Sequence, residues 1–192
     1  MIGNDLVDLN VASAESNWKR SRFLDKVFTI EEQQLITNSK NQHQTVWLLW
    51  SMKEAAYKVY VQQFGKRFFN PKRVVCHFDS DTSGFVTIES ETYYTTSTIT
   101  KNFIYTVTTL NNSKSYKSTC FKVEDKSYTI QSEHLKNHFL KTISKSNNYE
   151  FNALRIKKNM SGIPEVFLNH YKLPVSFSLT HHGNYCGYAI FK

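Results

Sequence analysis

Apolar Ile2, Leu6, Val7 and Leu9, broken by the acids Asp5 and Asp8, predict a short strand over residues 2–9. Two stretches of helical period follow. In residues 29–38, Thr29 is a candidate N-cap and Glu32 stands three residues on, the spacing of a capping box. Over about 43–63, Val46, Leu49, Trp50, Lys53, Ala56, Tyr57 and Tyr60 recur at steps of three and four. Beyond Gly65 the period shortens. Residues 73–78, 84–89 and 102–108 are β-branched and aromatic with turn formers between them, and they predict antiparallel strands.

A linker-like stretch, 110–118, precedes what reads as a second cycle. Residues 120–123 are strand-like. Residues 132–145 carry Leu135, His138, Phe139 and Ile143 at helical spacing, with Ser132 as a candidate cap, and strands are expected near 151–157 and over 176–191. The pattern predicts an α+β fold of two similar halves, a pseudo-dimer, each with one or two helices packed on a small antiparallel sheet. The halves are expected at 1–112 and 113–192.

A chain of 192 residues suffices for one large domain or two small halves sharing a core. With 40% hydrophobic and 15% aromatic residues, the composition excludes disordered and fibrous classes. No apolar run approaches the roughly 20 residues of a membrane span. The acid in Met1-Ile2-Gly3-Asn4-Asp5 does not suit an export signal, so a cytoplasmic location is expected. Cys76, Cys120 and Cys186 match no zinc or Cys-x-x-Cys spacing and are expected as buried free thiols. The net charge of +8 suits an anionic ligand: nucleic acid, a phosphorylated cofactor or an acidic protein. The basic residues are spread along the chain, so charge alone does not choose among them.

Three segments carry candidate chemistry. In Trp50-Ser51-Met52-Lys53-Glu54-Ala55-Ala56-Tyr57-Lys58, helical geometry puts Glu54 and Lys58 on one face; by itself this is also what an ordinary surface pair looks like. In Gly3-Asn4-Asp5-Leu6-Val7-Asp8, the odd separation of Asp5 and Asp8 sends them to opposite faces of a strand, so one only can enter a given site. In residues 176–190, two apolar strands flank a polar Thr180-His181-His182-Gly183 turn, read as solvated; adjacent histidines without a third ligand make a poor zinc site.

Taken together these segments resemble the 4′-phosphopantetheinyl transferase superfamily. Its Gly-x-Asp strand, its Trp-x-x-Lys-Glu-Ala helix with a Lys four residues beyond the Glu, and its Ser-x-Ser/Thr-His turn are similar to residues 2–7, 50–58 and 178–181. Residues 161–164 are similar to the Gly-Lys-Pro turn of the larger, fused type. The motif order resembles that type with its halves swapped, the cofactor site lying between halves of one chain. A short-type enzyme with an insertion and a site between subunits is the other arrangement.

The resemblance implies a holo-[acyl-carrier-protein] synthase or related enzyme that moves the arm of coenzyme A to a carrier-protein serine, with Mg²⁺, releasing 3′,5′-ADP. It implies Asp5 and Glu54 as metal ligands, Glu54 or a water it orients as the base, and Lys58 on the diphosphate with Lys53 as a second cation. It implies Thr180 and His181 at the nucleotide phosphates. Two departures stand out: Val7 replaces the fused type's second acid, with Asp8 expected to face away, and Ile163 replaces a Lys. The implied partner is an acidic acyl or peptidyl carrier protein met by a monomer, or by a trimer as in the short type. No nucleic acid or membrane is expected. A basic nucleic-acid-binding domain is the competing class, although no RNP-like or zinc-finger pattern accompanies the charge; a degenerate coenzyme A binder is another.

Overall fold

The computed structural model describes residues 1–112, 115–124 and 127–191. The first part of the chain forms β1 (Ile2–Asp8), α1 (Leu9–Glu15), α2 (Phe23–Val27), α3 (Ile30–Asn38), α4 (Gln42–Phe64), β2 (Val74–Phe78), β3 (Ser83–Ile88), β4 (Glu91–Ile99) and β5 (Phe103–Thr109). Its five strands make one antiparallel sheet in the order β1-β5-β4-β3-β2. The second part forms β6 (Tyr116–Lys122), α5 (Tyr128–Asn147), β7 (Leu154–Lys158), β8 (Pro164–Leu168), β9 (Tyr171–Lys172), β10 (Phe177–His182) and β11 (Tyr185–Phe191). Those strands make two three-stranded sheets, β10-β11-β6 and β7-β8-β9. The fold is α+β, and each half lays one long helix against antiparallel strands. The half boundary expected at 112/113 touches residues 113 and 114, which lie outside the described residues.

Local chemistry explains the element ends. Thr29 and Glu32 form the predicted capping box at the start of α3, each side chain bonding the other's backbone N–H. Helix α4 is capped by Asn41 and stopped by Gly65, whose φ of 65° is the left-handed C-terminal conformation that glycine adopts freely. Several expectations shift. Helices α1 and α2 and strand β4 carry too short or too polar a pattern to stand out. Ser132 lies inside α5, which begins a turn earlier after Ser127. Strand β6 starts within the stretch read as linker.

The core of the first half gathers Val7, Phe28, Leu49, Met52, Ala56, Val59, Val86, Ile88, Tyr93 and Ile104 between α4 and the sheet. The core of the second gathers Leu135, Phe139, Ile143, Val166, Phe177 and Tyr188 under α5. A third cluster joins them: Ile2, Leu6, Tyr105 and Val107 from the first half pack on Ala189 from the second. At that junction β1 and β10 run side by side. Asn4 N donates to Ser178 Oγ at 3.2 Å and Asp8 N donates to His182 Nδ1 at 2.9 Å. Both pairs are 174 residues apart, so the two strands advance together in the same direction. Cys76 and Cys186 are buried free thiols as expected, whereas Cys120 is half-buried. Among the described residues no helix is long and apolar enough to cross a membrane.

Candidate active site

Strand alternation on β1 decides what can meet α4. Gly3, Asp5 and Val7 face the helix, and Asn4, Leu6 and Asp8 face away. Gly3 is required there: a Cβ on it would stand 2.1 Å from the Ala55 carbonyl oxygen. That close approach lets two side chains one helical turn apart grip the edge of the strand. Lys58 Nζ donates to Asn4 O at 2.7 Å and Gln62 Nε2 donates to Ile2 O at 2.8 Å. A helical turn and two strand residues have nearly the same length, so the two bonds fit together. Deeper in, Ser51 Oγ and Thr106 Oγ1 share a hydrogen bond of 2.6 Å that fixes α4 on β5.

On this frame Asp5 meets two side chains. Its Oδ1 lies 3.2 Å from Lys58 Nζ and accepts from Thr180 Oγ1 at 3.3 Å. Burial holds its carboxyl above the usual range, opposed by the charge and hydrogen bond of Lys58. Glu54, one turn before Lys58, is pushed up to about 7 by burial and by the charge of Asp5, with Lys58 again opposing. Two carboxylates thus crowd a poorly hydrated corner with a single ammonium beside them. Hard oxygen ligands with unmatched negative charge suit a dication such as Mg²⁺, which takes one or two protein carboxylates and completes its shell with water and phosphate. Among the described residues no cluster of three or more His, Cys, Asp or Glu side chains forms a larger cage.

Asp8 faces away, as its parity predicts, and is fully occupied. Its Oδ1 accepts the N–H groups of Asn10 and Val11 at the start of α1, and its Oδ2 accepts from the backbone and side chain of Asn184. His182 accepts the Asp8 N–H. The pair is a joint between β1 and the β10–β11 hairpin. That hairpin turns at Gly183 and Asn184 only. Thr180, His181 and His182 belong to β10 and are partly or wholly buried, which corrects the reading of a solvated turn.

Two other expectations are corrected. Lys53 does not reach the corner of Asp5 and Glu54. A step of 100° around α4 turns it away from that corner, and it pairs with Glu32 at 2.8 Å and donates to the carbonyls of Pro71 and Val74. Thr180 is not in the wall of the cleft described below. Buried Thr180 instead donates from β10 to the Asp5 carboxylate and braces it.

The next residue faces the other way. A cleft of about 490 Å³ opens between the halves, with Glu54, Lys58 and Gln62 of α4 on one side and Tyr128, Lys136 and His181 on the other. His181 packs on the exposed ring of Tyr128 at 4.7 Å, and its Nδ1 lies 3.1 Å from Gln131 Oε1. Because Gln131 Nε2 donates to Gly183 O at 2.6 Å, the amide oxygen must face the imidazole, so Nδ1 carries the proton. Burial, with Lys58, His182 and Lys136 adding positive charge, holds His181 below its ordinary value. Neutral His181 therefore presents a lone pair on Nε2, and becomes a donor there only when protonated.

Sequence reasoning missed Arg67, Lys136 and Lys158, which also line the cleft, as does Ile163. Glu54 is the one carboxylate among its described lining residues. Their convergence is tertiary; the only signal in the sequence was the surplus of basic residues.

No curated protein matches the chain. Among solved structures it is similar to the crystal structure of Thermotoga maritima holo-[acyl-carrier-protein] synthase, at 10% identity and a TM-score of 0.45, over 89% of this chain and 83% of that one. The pattern of the 4′-phosphopantetheinyl transferase superfamily matches residues 1–132, which take in Asp5, Glu54 and Lys58. On the strength of that match, over 132 of 192 residues, the chain belongs to the 4′-phosphopantetheinyl transferase superfamily.

Proposed function

We propose that this protein transfers the 4′-phosphopantetheine arm of coenzyme A to a serine of an acyl or peptidyl carrier protein, in a Mg²⁺-dependent reaction that releases 3′,5′-ADP. The observation that carries the reading is the meeting of Asp5, Glu54 and Lys58 at the edge of a cation-lined cleft, in a chain of this superfamily.

Asp5 and Glu54 would hold Mg²⁺, which would supply positive charge to the phosphoryl oxygens. The chain's own groups do the rest. Glu54, ionised, takes the proton of the serine hydroxyl, directly or through a water. The serine oxygen bonds to the β-phosphorus of coenzyme A, and the bond from that phosphorus to the bridging oxygen breaks. The electron pair leaves with 3′,5′-ADP. Lys58, fixed by Asp5 and the Asn4 carbonyl, neutralises charge on the diphosphate as a point cation. Lys136 adds to that charge from the opposite wall, as does His181 when a bound phosphate draws it into its protonated form. Thr180 and Gln131 are positioning residues: one holds Asp5 and the other fixes the tautomer of His181.

Incubation of the protein with coenzyme A radiolabelled in its pantetheine arm, Mg²⁺ and apo carrier proteins tests the reading. Label bound to the carrier through serine, and lost in EDTA, supports it. No label on either an acyl or a peptidyl carrier would refute it.

A further inference from the structure

The two walls of the cleft belong to different halves, and a buried polar line joins them behind it. Its centre is Asn4, which lies between Gly3 and Asp5 and turns its side chain away from α4 into the junction of the halves, with no exposed surface. The Asn4 carbonyl accepts from Lys58 and its N–H donates to Ser178. Its Nδ2 donates to Tyr105 Oη at 3.0 Å, and Tyr105 Oη donates to the carbonyl of Tyr188 in β11 at 2.8 Å. The Tyr188 hydroxyl shares a hydrogen bond of 2.9 Å with Thr142 of α5, and its ring packs edge-on against Phe139. That helix also carries Tyr128 and Lys136 of the far wall. Asn4, Tyr105 and Tyr188 are not among the described lining residues of the cleft.

The composition of this line is costly for a buried junction. Asparagine is an unfavourable strand residue. Among the described residues Asn4 Oδ1 has no hydrogen-bond partner, and a buried acceptor of that kind lowers the stability of a fold. A leucine of similar size would fill the site without that cost. Tyr105, in turn, has a prepared seat: a Cβ on Gly187 would stand 2.7 Å from Cε2 of its ring. Burial pushes the Tyr105 phenol well above its ordinary value, so the hydroxyl keeps its proton and stays a donor.

We propose that Asn4 is a positioning residue that sets, through Tyr105, the spacing between the Lys58 wall and the α5 wall, and with it the fit of the donor nucleotide; the inference rests on the transferase reading above. Asp5 and Glu54 both belong to the first half, so their hold on Mg²⁺ does not depend on that spacing. A nucleotide that meets both Lys58 and Lys136 needs the two walls at the right distance. Breaking the Asn4–Tyr105 bond therefore weakens the nucleotide and spares the metal.

The test titrates 3′,5′-ADP and, separately, Mg²⁺ into the native protein, Asn4→Leu, Tyr105→Phe and the double variant by calorimetry. Each single variant should bind 3′,5′-ADP about three- to tenfold more weakly, the effect of one neutral hydrogen bond, with Mg²⁺ affinity unchanged. The double variant should lose no more than either single one, because both break the same line. Asn4→Leu should melt no lower than the native protein, an outcome that a merely structural role for Asn4 does not produce. Amide exchange adds a readout free of ligand. In Tyr105→Phe the N–H groups of Asn4 and Asp8, which bond to β10 side chains, should exchange faster, while those within the β3–β4 ladder keep their rates. Parallel weakening of 3′,5′-ADP and Mg²⁺, additive losses in the double variant, or unchanged exchange at Asn4 and Asp8 would overturn the inference. So would variants that bind 3′,5′-ADP as tightly as a native protein that binds it. A native protein that neither transfers nor binds 3′,5′-ADP would sink the transferase reading, and the exchange rates would still decide whether Asn4 sets the junction.

Discussion

The ammonium of Lys53 lies 2.8 Å from the carboxylate of Glu32, and each side chain is at most 3% exposed. Glu32 also accepts the N–H of Thr29 through one oxygen and of Cys76 through the other. One buried carboxylate therefore ties together the start of α3, the middle of α4 and the edge strand β2. Glu32→Gln leaves the Lys53 charge buried without its counterpart and should cost about 3–5 kcal/mol. Urea denaturation reads this as a lowered midpoint. Replacing both partners together with apolar residues of similar volume should recover much of the loss. A single variant as stable as the native protein would show that the pair is not sealed.

This pair also marks where sequence reading ends. Lys53 and Glu54 are neighbours in one motif, and 100° of helix sends them to different jobs. The Thr29–Glu32 box, the two long helices and the opposed faces of Asp5 and Asp8 were legible because each depends on residues a few positions apart. The same parity argument applied to β10 would have turned Thr180 toward Asp5. Nothing local relates Lys53 to Glu32, 21 positions away, or brings Arg67 to Ser161 across 94 positions. The first depends on how α3 packs on α4, and the second on how the halves dock, which is written in the packing of Leu6 and Tyr105 on Ala189.

Asp8 and Asp5 are three residues apart and should fail in different ways. Asp8→Ala removes an N-cap and both bonds to Asn184 from a buried site. A stability loss of about 2 kcal/mol is expected, with turnover per folded molecule retained. Asp5→Asn should abolish turnover in a protein that still melts cooperatively. Thermal unfolding and initial rates on both variants separate the roles; matching losses of rate would contradict them.

The carboxyl of Glu54 sits at about 7 against its ordinary 4.5, because of burial and the charge of Asp5. The folded chain therefore keeps a proton that the unfolded chain releases between those values. Stability of the metal-free protein should fall as pH rises through this window. Mg²⁺ requires the ionised form, so its affinity should weaken as pH drops below about 7. Melting points in EDTA and in Mg²⁺ from pH 5.5 to 8 should diverge as pH rises. A constant gap between the two curves would remove Glu54 from the metal site.

His181 should respond in the opposite sense. With Nδ1–H held by Gln131, its Nε2 donates to a phosphate only when the ring is protonated, and burial with nearby positive charge resists that. Binding of 3′,5′-ADP should take up a proton and tighten as pH falls toward 6. Calorimetry in buffers of different ionisation enthalpy measures the uptake, which His181→Ala should eliminate. Binding without proton uptake would contradict the assigned tautomer.

The central claim is that Asp5, Glu54 and Lys58 transfer a phosphopantetheine arm. Intact-mass spectrometry of an apo carrier protein, incubated with this protein, coenzyme A and Mg²⁺, addresses it most directly, with Glu54→Gln run in parallel. The account predicts a mass gain of one phosphopantetheine arm with the native protein and none with Glu54→Gln. An unmodified carrier in both reactions, or equal modification in both, would contradict it.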